Sequence, residues 1–268
     1  VQLLILSCRT KMQTVADGTV DFHFRIVALR ILLHNPLSHL AACRMNVTVF
    51  YDLDHTLIGC DSDYEWGQFL ADSGEIDGDA YRARNQTFYN DYRHGTLDPV
   101  AYLEFVLAPL RQIDGQRLEE LRAQFLETRV LPVLHPRAQQ LISEHRQRGL
   151  RQVVVTSTNA FIAEPIVQAL EIPTLIAPRP EMRAGRYTGK LLDSSCFAAD
   201  KPKRIQAWAE QEGIRLGETW GYSDSFNDIP LLEFVDHPVA VDPDPTLRAH
   251  AQERGWEIIS LCEDYSGE

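Results

Sequence analysis

The spacing of apolar positions changes along this chain, and the change divides it. Val47 to Tyr51 is a short run of β-branched and aromatic residues, which predicts a buried strand. From residue 61 to about 130 the spacing is helical throughout. Tyr64, Trp66, Phe69 and Leu70 follow the cap residues Asp61, Ser62 and Asp63. Aromatic residues recur at 81, 88, 89 and 92. Gly95-Thr96-Leu97-Asp98-Pro99 then supplies a stop, a cap and a proline at the first helical position. Tyr102, Phe105, Val106 and Leu110 mark the next helix, and another runs from about 114 to 128.

From Pro132 onward the pattern alternates. Strands are predicted at 152–155, 174–177, 219–222, 239–241 and 256–260, with helices at 135–148, 161–170, 200–211, 229–234 and 245–254 between them. Ala184-Gly185 inside 182–192 predicts a hairpin. The fold class is therefore α/β, a doubly wound parallel sheet. Its core is expected at 45–59 and 131–268, with an all-helical cap inserted at 60–130.

Residues 1–44 do not fit this pattern. They carry Arg9, Lys11, Arg25, Arg30 and Arg44 against Asp17 and Asp21, and no cap, turn or period ties their apolar bursts together. Two readings are open, a basic targeting arm or an upstream stretch preceding a true start at Met45. The second is taken. It predicts that a chain beginning at Met45 keeps full activity and melting temperature. A large loss of either would make residues 1–44 part of the domain.

Composition narrows the function classes. A formal charge of −12 over 268 residues argues against nucleic acid or an anionic membrane as the main partner. The five cysteines are scattered, with no C-x-x-C, so neither a disulfide framework nor a zinc site is expected, and a reducing cytoplasm is. No apolar run is long enough to span a bilayer. Oligomeric state is not legible.

Candidate chemistry lies at the strand ends. Asp52-Leu53-Asp54-His55-Thr56 follows the first strand, Thr156-Ser157-Thr158-Asn159 the second, and Ser223-Asp224-Ser225-Phe226-Asn227-Asp228 the fourth. In a parallel sheet these ends share one edge, where ligands bind. Lys201 opens a helix that can reach the same place. Asp52, Asp54, Asp224 and Asp228 in one crevice would repel one another unless a cation neutralised some of them. Oxygen donors select a hard ion, so Mg²⁺ is the expected cofactor. The lysine and the Thr156 hydroxyl suit an anion. One carboxylate can attack phosphorus, and a neighbour two residues on can protonate a leaving alkoxide.

Asp52-x-Asp54-x-Thr56, Thr156, Lys201 and Asp224-x-x-x-Asp228, in this order, resemble the four motifs of haloacid dehalogenase (HAD) superfamily phosphatases. The likeness covers 45 to about 261 and is nearest to the phosphoserine-phosphatase-like branch, subfamily IB. It implies Asp52 as the nucleophile that forms an aspartyl-phosphate and Asp54 as acid and then base. Thr156 and Lys201 would hold the phosphoryl group. Mg²⁺ would sit on Asp52, the Asp54 carbonyl and Asp224, with Asn227 and Asp228 in support.

DSDYEW, GRYTG, YSDSFNDIPLLE and HPVAVDP further resemble a bacterial group of histidinol-phosphatases and family IB hydrolases. Phosphoserine phosphatases carry a glutamate nine residues after the nucleophile, where this chain has Asp61. They also place an arginine in the cap after a Gly-x-Leu turn. Here Gly95-Thr96-Leu97 is followed by DPVAYLEFVLAPL, with Glu104 and no cation. A site without that arginine binds a free carboxylate poorly. The expected substrate is a small phosphorylated metabolite that is cationic or neutral, with histidinol phosphate first and L-phosphoserine second. Asp61, Glu104, Thr56, Ser157 and Asn159 are the candidate substrate contacts, although Glu104 reads equally well as solvent-facing. A phosphomutase and a regulatory protein with weak catalysis are the remaining alternatives.

Overall fold

The computed structural model describes residues 47–193 and 195–262. The reading of residues 1–44 as an extension therefore lies outside the described residues. Six strands form one parallel sheet: β1 (Val47–Tyr51), β2 (Arg151–Val155), β3 (Thr174–Ile176), β6 (Glu218–Ser223), β7 (His237–Val241) and β8 (Glu257–Ile259). Their spatial order is β3-β2-β1-β6-β7-β8. Val49 to Tyr51 and Val153 to Val155 have no exposed surface, as a strand covered on both faces requires. The chain winds outward from β1 through β2 to β3, then returns to the other side of β1 at β6. That reversal opens a crevice between β1 and β6 at their carboxyl ends, the switch point where open α/β sheets bind ligands. Gly221 permits close packing behind β6, since a Cβ there would lie 3.0 Å from Val235 Cγ2.

The insertion contains four helices: α1 (Ser62–Asp72), α2 (Gly78–Arg93), α3 (Pro99–Gln112) and α4 (Gly115–Phe125). Aspartates cap each of them. Asp61, Asp77, Asp98 and Asp114 accept from main-chain N–H groups of the first turns, and such caps are each worth about 1 kcal/mol. The last helix ends three residues before the predicted boundary, in a π turn at Leu126–Val130. The entry and exit of the insertion form a short stem, with Gly59 N donating to Val133 O at 2.8 Å and His135 N to Leu57 O.

The insertion also shares apolar core with the sheet layers. Trp66 of α1 meets Phe125 of α4 and Phe161 of α6 (Ala160–Ala169) edge-on, at 5.3 and 5.7 Å between ring centres. Hairpin β4 (Pro180–Arg183) and β5 (Arg186–Leu191) turns through Ala184 and Gly185, both left-handed. Tyr187 of that hairpin packs edge-on against Phe161. The remaining helices, α5 (Pro136–Gln147), α7 (Asp200–Gln211), α8 (Ile229–Phe234) and α9 (Pro245–Arg254), complete the alternation. Among the described residues no helix is long and apolar enough to cross a membrane.

Candidate active site

β2, β1 and β6 are adjacent in the sheet, so their following residues meet. Asp52 continues the β1–β6 ladder, its N–H donating to Tyr222 O at 2.9 Å, and this fixes where its carboxylate stands. The chain then turns tightly. Leu57 N and Ile58 N both donate to Leu53 O, and His55 takes a left-handed φ of 55°. That conformation is uncommon outside glycine and strains the loop.

Lys201, buried in the first turn of α7, donates to Asp52 Oδ1 and to Asp228 Oδ2, both at 2.6 Å. Ser223 Oγ also donates to Asp228, at 2.7 Å. Burial opposes the lysine's charge, but the Asp228 and Asp52 carboxylates overcome it and hold the ammonium above its ordinary value. Thr56, fully buried, donates to Asp224 Oδ1 at 2.9 Å and accepts from Asp224 N at 3.1 Å. A hydroxyl has one proton to give, so its 3.4 Å approach to Asp52 Oδ2 is the weaker contact. Thr56 thus braces two carboxylates from behind and does not line the cavity, which corrects its reading as a substrate contact.

Asp54 is held by residues that sequence reasoning passed over. Its Oδ1 accepts from Ser62 N at 3.0 Å and its Oδ2 from Thr158 Oγ1 at 2.6 Å. Thr156 Oγ1 accepts from Thr158 N, which orders the second polar loop. Ser157 reaches the cavity but donates to Cys196 O at 3.0 Å. Asn227 also lines the cavity, donating to Ser225 Oγ.

The charge balance is unusual. Burial, followed by the charges of Asp228 and Asp54, pushes the Asp52 carboxyl up to about 7 despite Lys201. Burial and the Asp52 charge push Asp224 well above the carboxylate range. Among the described residues Asp224 has no ion-pair partner, and one lysine serves two other aspartates. Both carboxylates are short of a cation, and the donors are all oxygens. A hard divalent ion fits. Asp52 and Asp224 supply two side chains and Asp54 can add its main-chain carbonyl. The described residues form no cage of three or more His, Cys, Asp or Glu side chains.

The insertion roofs this edge. Tyr92 Oη lies 2.9 Å from Ser225 Oγ, so α2 reaches the loop that carries Asp224. Asp52, Asp54, Thr156 and Lys201 form the floor of one cavity, and Asp61, Asp63, Asn85 and Tyr102 belong to its cap side. The cap-side readings divide. Asp61 lines the cavity while capping α1, its Oδ1 accepting from Tyr64 N at 2.8 Å. Burial and the neighbouring Asp54 raise its carboxyl to about 7. Glu104 does not line the cavity. The buried stripe of α3 is Leu103, Val106, Leu107 and Leu110, and the helical repeat turns Glu104 out to solvent. Asn159 is fully buried behind the wall, where its Nδ2 donates to Asp63 Oδ1 at 2.9 Å, so it too is no direct contact. Asp63, Asn85 and the exposed Arg93 line the cavity without having been singled out. Asp63 had read as helix-start charge, and Arg93 precedes the Gly-x-Leu turn instead of following it.

The model of the haloacid dehalogenase-like hydrolase family matches residues 49–233. A histidinol-phosphatase of Neisseria meningitidis serogroup C is 38% identical over 220 residues, covering 81% of this chain and 99% of that relative. A solved protein of unknown function from Bordetella pertussis Tohama I is also 38% identical, with a TM-score of 0.77 over 81% of this chain and 99% of its own. A substrate-bound phosphoserine phosphatase structure, 18% identical, shares the fold at a TM-score of 0.60 over 81% of this chain and 93% of its own.

Proposed function

The chain belongs to the haloacid dehalogenase-like hydrolase family and is a phosphoric monoester hydrolase; from that premise we propose a Mg²⁺-dependent phosphatase that works through an aspartyl-phosphate on a small phosphorylated metabolite, histidinol phosphate first. The observation that carries this reading is the convergence of Asp52, Asp54, Thr156 and Lys201 on one buried floor beside Asp224. Mg²⁺ on Asp52, Asp224 and the Asp54 carbonyl would supply charge neutralisation for the phosphoryl oxygens.

The chain's own groups do the rest. An oxygen of Asp52 attacks phosphorus and the ester P–O bond breaks. The departing alkoxide takes a proton from Asp54, whose carboxyl is aimed by Ser62 N and Thr158 Oγ1. Lys201 and Thr156 hold the non-bridging oxygens. Water then attacks the phosphorus of the acyl phosphate and gives its proton to Asp54, and Asp52 is released. Most of the rate comes from positioning and charge, which a preorganised floor provides. The reading also includes the cytoplasm as the working compartment, in keeping with the free thiols of Cys60 and Cys196.

L-phosphoserine is kept as a second substrate reading because Arg93 lines the cavity and could meet a carboxylate. A panel of phosphomonoesters with Mg²⁺ separates the two. Histidinol phosphate should lead phosphoserine by about 10-fold or more in kcat/KM, the scale of one charged group met or left unpaired. The opposite order would hand the site to phosphoserine. Release of free phosphate distinguishes hydrolysis from a mutase reaction.

A further inference from the structure

We propose that Asp63 and Asn85 form a cap-side subsite that receives a protonated nitrogen of the substrate, an amine or imidazolium, and that this subsite sets specificity. The inference rests on the phosphatase reading for where the phosphate lies and adds which residues read the other end of the molecule.

Asn85 is the first observation. It is 1% exposed and lines the cavity. Its Nδ2 donates to Tyr64 O at 3.1 Å. A main-chain carbonyl only accepts, so this bond fixes the amide's orientation and leaves Oδ1 on the other side. That Oδ1 is buried without a partner. Unsatisfied buried acceptors are rare and costly, and a donor from a ligand in the cavity that Asn85 lines would satisfy it.

Asp63 is the second. It is 3% exposed and lines the same cavity. Asn159 Nδ2 donates to its Oδ1 at 2.9 Å, a neutral partner that brings no charge to balance the carboxylate. Among the described residues no lysine, arginine or histidine forms an ion pair with Asp63 or Asp61. Burial raises the Asp63 carboxyl well above its ordinary value, and the charges of Asp61 and Asp54 add to this. A protonated nitrogen placed against this wall would favour the ionised form of Asp63 and bring a donor to the side of the cavity that Asn85 lines.

The remaining wall agrees with a cation. Tyr102 and Phe88 line the cavity with ring centres 5.5 Å apart, and aromatic faces favour positive charge. The cation on the cap side, Arg93, is exposed, so its charge is weakened by solvent. A substrate can therefore set its phosphate on the Lys201 floor and its nitrogen on the Asp63 wall. The floor is the same for any phosphomonoester, and the wall discriminates among them.

The test compares histidinol phosphate with p-nitrophenyl phosphate, which carries no cationic group. Asp63→Asn keeps the shape and the Asn159 bond while removing the charge. It should lower the ratio of the two kcat/KM values by roughly 10- to 100-fold, as loss of a charged hydrogen bond does. Asn85→Leu should lower the same ratio several-fold, and it carries the test if the first variant does not fold. Glu104→Ala, on an exposed face of the same insertion, should leave the ratio alone. A ratio that does not change in Asp63→Asn and Asn85→Leu would overturn the proposal.

Binding of histidinol, the phosphate-free alcohol, by calorimetry separates this proposal from its premise. If the protein hydrolyses no phosphomonoester but binds histidinol and loses it in Asp63→Asn, the phosphatase reading fails and the subsite stands. If it hydrolyses p-nitrophenyl phosphate but neither turns over histidinol phosphate nor binds histidinol, the subsite falls and the phosphatase reading stands.

Discussion

Replacing Asp52 by Asn is expected to reduce phosphate release by about 10⁴-fold or more, the scale on which removal of an attacking group acts. The fold should survive. Asp52 is held by the β1–β6 ladder through its main chain, which the substitution leaves intact. Asn keeps an oxygen that can accept from Lys201, and Lys201 retains Asp228 at 2.6 Å. Removing one of several crowded carboxylates also relieves the repulsion that raises Asp52. The melting temperature should therefore stay level or rise while turnover disappears. In the wild-type protein, rapid acid quenching during turnover should trap phosphate on the chain, with the label on the peptide containing Asp52. Asp54→Asn should differ, accumulating phosphate on Asp52 with an activated ester whose leaving group needs no proton, because the second step then lacks its base. Wild-type-like hydrolysis by Asp52→Asn would remove the nucleophile from the scheme.

How much of this could be read without coordinates depended on the range over which each signal acts. The strand run at 47–51 and the polar residues after it were legible because burial on both faces of a central strand leaves little choice of residue. Convergence of Asp52, Thr156 and Asp224 followed from one rule, that parallel strands end on a common edge. The cap chemistry was harder. Helical spacing correctly marked α3, but which polar position of a helix faces a cavity depends on what packs against it. Glu104 and Asp63 are both acids on helices of the insertion, yet one faces solvent and the other is buried against Asn159. Asn85 gave no signal, since an asparagine in a helix ordinarily reads as a surface residue. Thr158 holds Asp54 across a long separation in sequence and Ser62 does so through its main-chain N–H, neither of which local side-chain pattern carries. The Trp66–Phe161 contact likewise joins the insertion to a helix of the sheet layers through residues far apart in sequence.

Stability without divalent metal should fall as pH rises from 5 to 8, and Mg²⁺ should reverse the trend. The folded protein lifts Asp52 from its ordinary 3.8 to about 7 and raises Asp224 well above the same starting point. A carboxyl raised on folding binds protons more tightly in the folded state. Its contribution is therefore fully present below the unfolded value near 4 and is lost as pH climbs through the folded value near 7. Across that window the metal-free protein should lose on the order of a few kcal/mol, several degrees of melting temperature for a chain of this size. Carboxylates such as Asp193 and Asp242, which their hydrogen bonds hold below the ordinary range, lose their contribution only at lower pH. They do not mask the slope above pH 5. Mg²⁺ competes with these protons for Asp52 and Asp224, so its stabilisation should be small at pH 5 and large at pH 8. EDTA should abolish turnover and restore the falling slope, and added Mg²⁺ should recover both. Asp224→Asn should lessen the metal-free slope, leaving the part that Asp52, Asp61 and Asp63 contribute, and should weaken the response to Mg²⁺. A metal-free melting temperature that rises from pH 5 to 8, or a Mg²⁺ shift equal at the two ends, would mean that these carboxylates are not the metal's ligands.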